Sequence, residues 1–261
     1  MRSIFISILA LSLVLTPFAV TVKPVQAAAQ WVNIEINSAQ VPGDLTDFPV
    51  YIDLSDLPAA YWNTTNCTDI RIFKSNGTTE VPREIVSCTD NGSSGTGELH
   101  FLADGTLSSS ATTTFQLHYD GTSSDYATDA TYGAENVWGD YTGVYHMNET
   151  SGSTMFDSSG NNDGTYFGAL PTSISGVIGD GQDWADGDYA IAGTTLISSD
   201  DYTVSAWVNT DGRTDARRHL IRNWENGQNL ILRVESNEAL NYFAQDASGD
   251  QGNASGATTN S

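Results

Sequence analysis

From Trp31 onward, apolar and polar side chains alternate with a period of two. Val32, Ile34 and Ile36 fall on one face of an extended segment, and Trp31, Asn33 and Glu35 fall on the other. The alternation returns in Phe48, Val50, Ile52 and Leu54, then in Ile70-Arg71-Ile72-Phe73, in Leu99-His100-Phe101-Leu102, and in Phe115, Leu117 and Tyr119. Between these runs lie turn clusters such as Val41-Pro42-Gly43-Asp44, Ser75-Asn76-Gly77-Thr78 and Thr89-Asp90-Asn91-Gly92-Ser93-Ser94-Gly95. No stretch carries a convincing helical repeat. Short strands at this spacing predict an all-β sandwich or barrel over residues 30–121.

Residues 122–136 are rich in Ser, Thr, Asp and Ala with few bulky apolar side chains, and so are expected to be a linker. Beyond them the strand pattern resumes, with strands expected at 143–147, 188–191, 202–209, 218–222, 229–234 and 240–243. Residues 246–261 are Gly/Ser/Ala/Thr-rich, a composition that predicts disorder. At the other end, residues 1–29 have the form of a secretory signal. Arg2 supplies the charge, residues 4–15 the apolar core, and Val25-Gln26-Ala27 or Ala27-Ala28-Ala29 the small-residue cleavage site. The apolar run breaks at Pro17 and again at Lys23, short of the roughly 20 apolar residues that a membrane span needs. Cleavage, with no membrane span afterwards, is the expectation.

Two resemblances follow from particular motifs. The first block carries Asp44-Leu45-Thr46-Asp47-Phe48-Pro49-Val50-Tyr51-Ile52-Asp53-Leu54, then Asp69-Ile70-Arg71-Ile72-Phe73, residues 76–85, and Phe115-Gln116-Leu117-His118-Tyr119-Asp120-Gly121. In order and spacing these resemble the bacterial and archaeal domain of unknown function that commonly precedes LamG-like domains in surface proteins. The departures are Glu98-Leu99-His100-Phe101-Leu102, where that family usually has a Trp-bearing strand, and a cysteine pair. The second block opens on residues 137–149, Val-Trp-Gly-Asp-Tyr-Thr-Gly-Val-Tyr-His-Met-Asn-Glu, followed by Asp157-Ser158-Ser159-Gly160-Asn161-Asn162-Asp163-Gly164. Together with residues 176–189 and 202–208 it resembles a LamG-like, concanavalin A-like jelly roll. That resemblance spans 137–245 and lacks the family's closing strands, so an incomplete jelly roll from a truncated frame or fragment is expected. Both resemblances imply β-sandwiches in a secreted or cell-surface protein, and neither implies an activity.

Charge narrows the partners. The chain has 32 acidic and 10 basic residues. Loss of Arg2 and Lys23 with the signal would leave a net charge of about −24. Neutralising phosphates takes clustered Lys and Arg that this chain lacks, so nucleic acid is excluded as a partner. Asp outnumbers Glu and gathers with Asn and Gly in turns, which suits either a salt-screened soluble surface or calcium. The cysteines, Cys67 and Cys88, are expected to form a disulfide in a chain that leaves the cytoplasm.

The turn at residues 157–164 is the best metal candidate. In jelly-roll relatives an Asp at the place of Asp157 and a carbonyl near Asn161 contribute to a structural calcium ion. The alternative is a hydrogen-bonded turn without metal. Asp183-Trp184-Ala185-Asp186-Gly187-Asp188-Tyr189 is a second cluster. A sugar could stack on Trp184 while Asp186 and Asp188 bond its hydroxyls, or Trp184 could face the core beside a solvated turn. No Glu-x-Asp-x-x-Glu run, Gly-x-Ser-x-Gly elbow or His-Glu-x-x-His motif is present. Glu80 and Glu84 suggest a solvated edge, and His100, His118, His146 and His219 suggest structural histidines. The expected function is therefore non-catalytic recognition or adhesion toward glycans or cell-surface proteins. The alternatives are a structural spacer of the cell envelope or the accessory part of a larger polysaccharide-active enzyme.

Overall fold

Strands form where the period-two pattern put them. In the first block these are β1 (Trp31–Ile36), β2 (Leu45–Asp53), β3 (Arg71–Lys74), β4 (Glu80–Val81), β5 (Arg83–Asp90), β6 (Gly95–Leu107) and β7 (Thr113–His118). A short helix, α1 (Ala59–Trp62), follows β2. The structure is a computed structural model that describes residues 30–192, 203–209, 218–225, 228–235, 239–245 and 251–256. The signal expected at 1–29 lies outside these residues. Among the described residues no helix is long and apolar enough to cross a membrane. The chain divides into two units, one within residues 13–198 and one holding residues 199–261.

In the first unit, one antiparallel sheet has the order β1-β7-β3-β4 and the other β2-β6-β5. Their apolar faces meet in one core. Val32 and Ile34 of β1, Ile72 of β3 and Leu117 of β7 join Ile52 of β2 and Leu99 and Phe101 of β6. Tyr61 and Trp62 of α1 close one side of it. Each fully buried side chain of this kind contributes about 1.5–3 kcal/mol of apolar transfer free energy, which is why strict alternation specifies the register. The Cys67–Cys88 disulfide forms as expected, with its Cα atoms 5.7 Å apart.

Residues 122–136 are not a free linker. The Ser123 carbonyl accepts hydrogen bonds from Asn66 and Thr68, the Ser124 carbonyl from Arg71, and the Tyr132 carbonyl from the Arg83 amide. Asp125 pairs with the buried guanidinium of Arg83 at 2.5 Å, and Tyr126 hydrogen-bonds Glu80 while its ring lies 4.1 Å beneath the Arg71 guanidinium. A segment poor in apolar residues docks here through carbonyls and charge, which composition alone does not reveal.

The remainder of this unit contains a three-stranded sheet, β8 (Thr154–Met155), β9 (Gly164–Phe167) and β12 (Tyr189–Ile191), ordered β12-β9-β8. A hairpin pairs β10 (Thr172–Ser175) with β11 (Asp180–Asp183). Residues 143–147, expected to be a strand, belong to no sheet: the Val144 amide donates to Asp157 Oδ1 and the Val144 carbonyl accepts from the Ser158 amide. Residues 203–209, also expected to be a strand, are exposed and have no ladder partner among the described residues.

The second unit is a meander of β13 (Arg218–Glu225), β14 (Gln228–Val234), β15 (Leu240–Gln245) and β16 (Gln251–Gly256) in sequential order. Ile231 and Val234 are its buried apolar residues among those described. β16 lies within the stretch expected to be disordered. It pairs in register from Leu240↔Gly256 to Gln245↔Gln251, since the open edge of β15 offers backbone partners that need no apolar side chain.

Candidate functional site

The long strand β6 has two faces, and both are buried. Leu99, Phe101 and Ala103 point into the sandwich, while Glu98 and His100 lie on the opposite face with 4% and 7% exposure. Cross-strand register sets His100 beside Glu84 of β5 on one side and beside Tyr51 of β2 on the other. This outer face is shielded by the segment after the expected linker, which carries the buried Trp138 and brings His146 down onto the strands. Met147, the next residue, adopts φ +57°, a left-handed conformation costing a β-carbon-bearing residue about 1–2 kcal/mol.

The side chains form one connected cluster. His146 donates through Nε2 to Glu84 Oε2 at 3.0 Å, and its Nδ1 lies 3.3 Å from Glu98 Oε1. His100 Nε2 meets the same Glu98 oxygen at 2.8 Å. Glu84 is held further by Trp138 Nε1 at 2.5 Å and by the Ser158 hydroxyl at 2.6 Å. The imidazoles of His100 and His146 lie 5.1 Å apart, and the Trp138 indole lies 5.2 Å from His100. Ligand atoms of Glu98, His100 and His146 all fall within 4.8 Å of one another.

Burial works against every charge here, and mutual contact reverses the outcome. Burial raises the Glu98 carboxyl, but hydrogen bonds from His100 and His146 outweigh it and hold it down at about 2. Burial likewise raises Glu84, and its bonds to His146, Ser158 and Trp138 hold it below the usual carboxylate range. For His146, burial disfavours the proton, yet the two carboxylates push its titration up to about 9. Protonated His146 thus sits between the two buried carboxylates as their counter-charge.

These residues were not expected to act together. Glu84 is not on a solvated edge: it is 9% exposed because Trp138, His146 and Ser158 cover it. The available signal was Glu98-x-His100, two polar residues on the face opposite Leu99 and Phe101. His118 lies elsewhere, between Trp31 and Phe73 at centroid distances of 6.1 and 4.5 Å. There it helps line a shallow cavity of about 380 Å³ with Arg71 and Asp120.

At the turn proposed for calcium, Asp157 is buried and its carboxylate accepts four hydrogen bonds, from the Val144, Ser159 and Asn162 amides and the Ser159 hydroxyl. Those donors match the acceptor capacity of a carboxylate, so the turn closes on the protein's own groups. The side-chain amide of Asn161 donates to the Ser159 carbonyl. Trp184 is 37% exposed and lies against Tyr166, with ring centroids 5.7 Å apart, so it is not a core residue. Asp186 is exposed, and Asp188 accepts from the Ala169 amide at 3.1 Å.

No protein-family profile and no curated protein matches the sequence. Among solved structures, the chain is similar to residues 221–444 of an S-layer domain-containing protein from Clostridium thermocellum ATCC 27405, at 17% identity and a TM-score of 0.38. That likeness covers 46% of this chain and 59% of the other.

Proposed function

We propose that this chain is a secreted, cell-surface recognition module that binds glycans or surface proteins and carries out no catalysis itself. The observation that carries the reading is a set of exposed aromatic side chains in the first unit, with Trp184 against Tyr166 and Tyr189 against Phe167. Trp184 is 37% exposed, Tyr189 is 52% exposed, and Phe167, 39% exposed, stacks on Tyr189 with ring centroids 5.1 Å apart. Asp186 and Asp188 flank the same loop. A sugar stacks its apolar face on an open ring while neighbouring carboxylates accept its hydroxyls. The signal-like leader, the disulfide, the acidic surface and the resemblance to surface-protein β-domains support a location outside the cell. Glu84 and Glu98 share one imidazole under a tryptophan instead of facing each other across an open cleft, which supports a non-catalytic module.

The test is a glycan array and a polysaccharide pull-down with the intact chain, each run with calcium and with chelator. Saturable binding that Trp184→Ala reduces at least about tenfold, the loss of roughly 1.4 kcal/mol expected for one stacked ring, supports the reading. Absence of binding to any glycan or surface protein at either calcium level overturns it and leaves the spacer.

A further inference from the structure

We propose that Glu98, His100 and His146 form a binding site for a first-row divalent metal ion of the zinc class, with Glu84 positioning His146 for the task. The inference is independent of whether the exposed aromatics bind a glycan. Zinc and its neighbours take imidazole nitrogen and carboxylate oxygen readily, whereas calcium takes oxygen alone, so the donor set selects the ion.

The geometry is that of a ligand set closed around a small volume. Ligands held about 2.0–2.1 Å from a tetrahedral ion lie about 3.3 Å from one another. Glu98 Oε1 is 2.8 Å from His100 Nε2 and 3.3 Å from His146 Nδ1, and all three ligand atoms lie within 4.8 Å of each other. Admitting an ion therefore takes a small rotamer adjustment and the release to solvent of the protons that His100 Nε2 and His146 Nδ1 now share with Glu98. The strand pair supplies rigid support, because Glu98 and His100 are two residues apart on one face of β6.

Glu84 gives the site its direction. It accepts from Nε2 of His146 at 3.0 Å, which leaves Nδ1 as the nitrogen turned toward Glu98. A carboxylate on the far nitrogen of a histidine fixes the ring and raises its basicity as a ligand. Trp138 and Ser158 lock Glu84 in turn, so the support extends one shell further. Three protein ligands leave room for a fourth, which water or an incoming group can fill.

The intact chain, stripped with chelator and dialysed, is titrated with Zn²⁺ by calorimetry and with Co²⁺ by visible absorption. One saturable ion per chain is expected, with the intense absorption bands of low-coordinate Co²⁺. His100→Ala with His146→Ala should abolish this site, and Glu84→Gln should raise the dissociation constant about 10- to 100-fold. X-ray absorption on Zn²⁺-loaded wild type needs no variant to fold, and should show two imidazoles among the ligands. Failure of the folded wild type to bind either ion, binding that persists in a folded double variant, or a ligand shell of oxygens alone would each overturn the assignment.

Discussion

His146 reaches across 62 residues of sequence to place its Nε2 3.0 Å from Glu84 Oε2. The bond joins the segment that opens the second block to a strand of the first sandwich, where an apolar contact would be the ordinary way to seal a sheet. It succeeds because Glu84 takes donors from Trp138, Ser158 and His146 together. A buried carboxylate with three donors, one of them charged, does not carry the cost of an isolated charge.

Glu84→Ala removes the shared acceptor and strands three donors at once, one of them an imidazole that the carboxylates hold protonated. The expected loss is about 3–5 kcal/mol, the range for breaking a buried ion pair on one side. Trp138→Phe deletes the N–H and shrinks the buried indole to a single ring, so it should cost at least the loss of a hydrogen bond to a charged group, about 1.5–3 kcal/mol. Urea denaturation followed by circular dichroism reads both. Equal losses in the two variants would show that ring packing, and not the hydrogen-bonded cluster, holds the segment down.

Asp69 belongs to the Asp-Ile-Arg-Ile-Phe motif, and its burial gives the motif a physical reason. Its carboxylate accepts from the Thr65 hydroxyl, the Asn66 amide, and the amides of Asp120 and Gly121, which ties the turn before β3 to the chain leaving β7. Asp69→Ala leaves backbone N–H groups without acceptors and should cost about 2–4 kcal/mol, since each buried unsatisfied group costs about 1–3. Asp69→Asn should be nearly as damaging, because its NH₂ would face a donor. A thermal shift in Asp69→Asn as small as that of an exposed Asp104→Asn control would contradict this role.

Much of this architecture was legible in the sequence, for a reason that also marks where legibility ends. Val32/Ile34/Ile36 and Leu99/Phe101 announce a core because a half-buried strand must alternate. Glu98 and His100 alternate equally well, yet the pattern cannot say that their face is covered, since the cover comes from Trp138 and His146 about forty residues on. Glu84 looked solvated on the same grounds. Residues 122–136 looked like a tether because their docking uses carbonyls, one carboxylate and one aromatic ring, none of which produces a hydrophobic period. Residues 143–147 have the apolar character of a strand, but the Val144 backbone bonds Asp157 and Ser158 of the neighbouring turn and not a ladder.

That docking of the expected linker can be undone at one residue. Arg83 is 2% exposed, and its only acidic partner among the described residues is Asp125, whose side chain is 41% exposed. Asp125→Ala leaves the guanidinium with the Ile70 carbonyl and the face of the Tyr126 ring, at an expected cost of about 1–3 kcal/mol after allowing for the solvent around Asp125. Limited proteolysis should then cut within residues 122–136 under conditions that spare the wild type. Unchanged protection would mean that the Arg71 contacts to Ser124 and Tyr126 suffice.

The disulfide links the bend at Cys67 to Cys88 of β5, 21 residues apart in sequence. In the chain-entropy model a loop of this size stabilises by about 3 kcal/mol. Cys67→Ser with Cys88→Ser should lower the unfolding free energy by that amount without changing the far-ultraviolet spectrum, as the core around Tyr61 and Trp62 draws on both sheets. A lost β signature at neutral pH would show that the bridge is needed for the fold itself.

Two glycines separate conformational cost from steric cost. Gly187 has φ +94° with nothing within 4 Å of where a β-carbon would stand, so Gly187→Ala should pay only for the left-handed backbone, about 1–2 kcal/mol. Gly179 has φ +56°, and its added β-carbon would lie 1.7 Å from Glu98 Oε2. Glu98 cannot retreat, because its other oxygen is engaged by His100 and His146. Gly179→Ala should therefore lose about 1–3 kcal/mol beyond the Gly187→Ala value, the usual range for overpacking. The excess should disappear in a Glu98→Ala background, where the clashing oxygen is gone. A double-mutant cycle showing no coupling between positions 179 and 98 would mean that the hairpin holding Gly179 does not press on the cluster in solution.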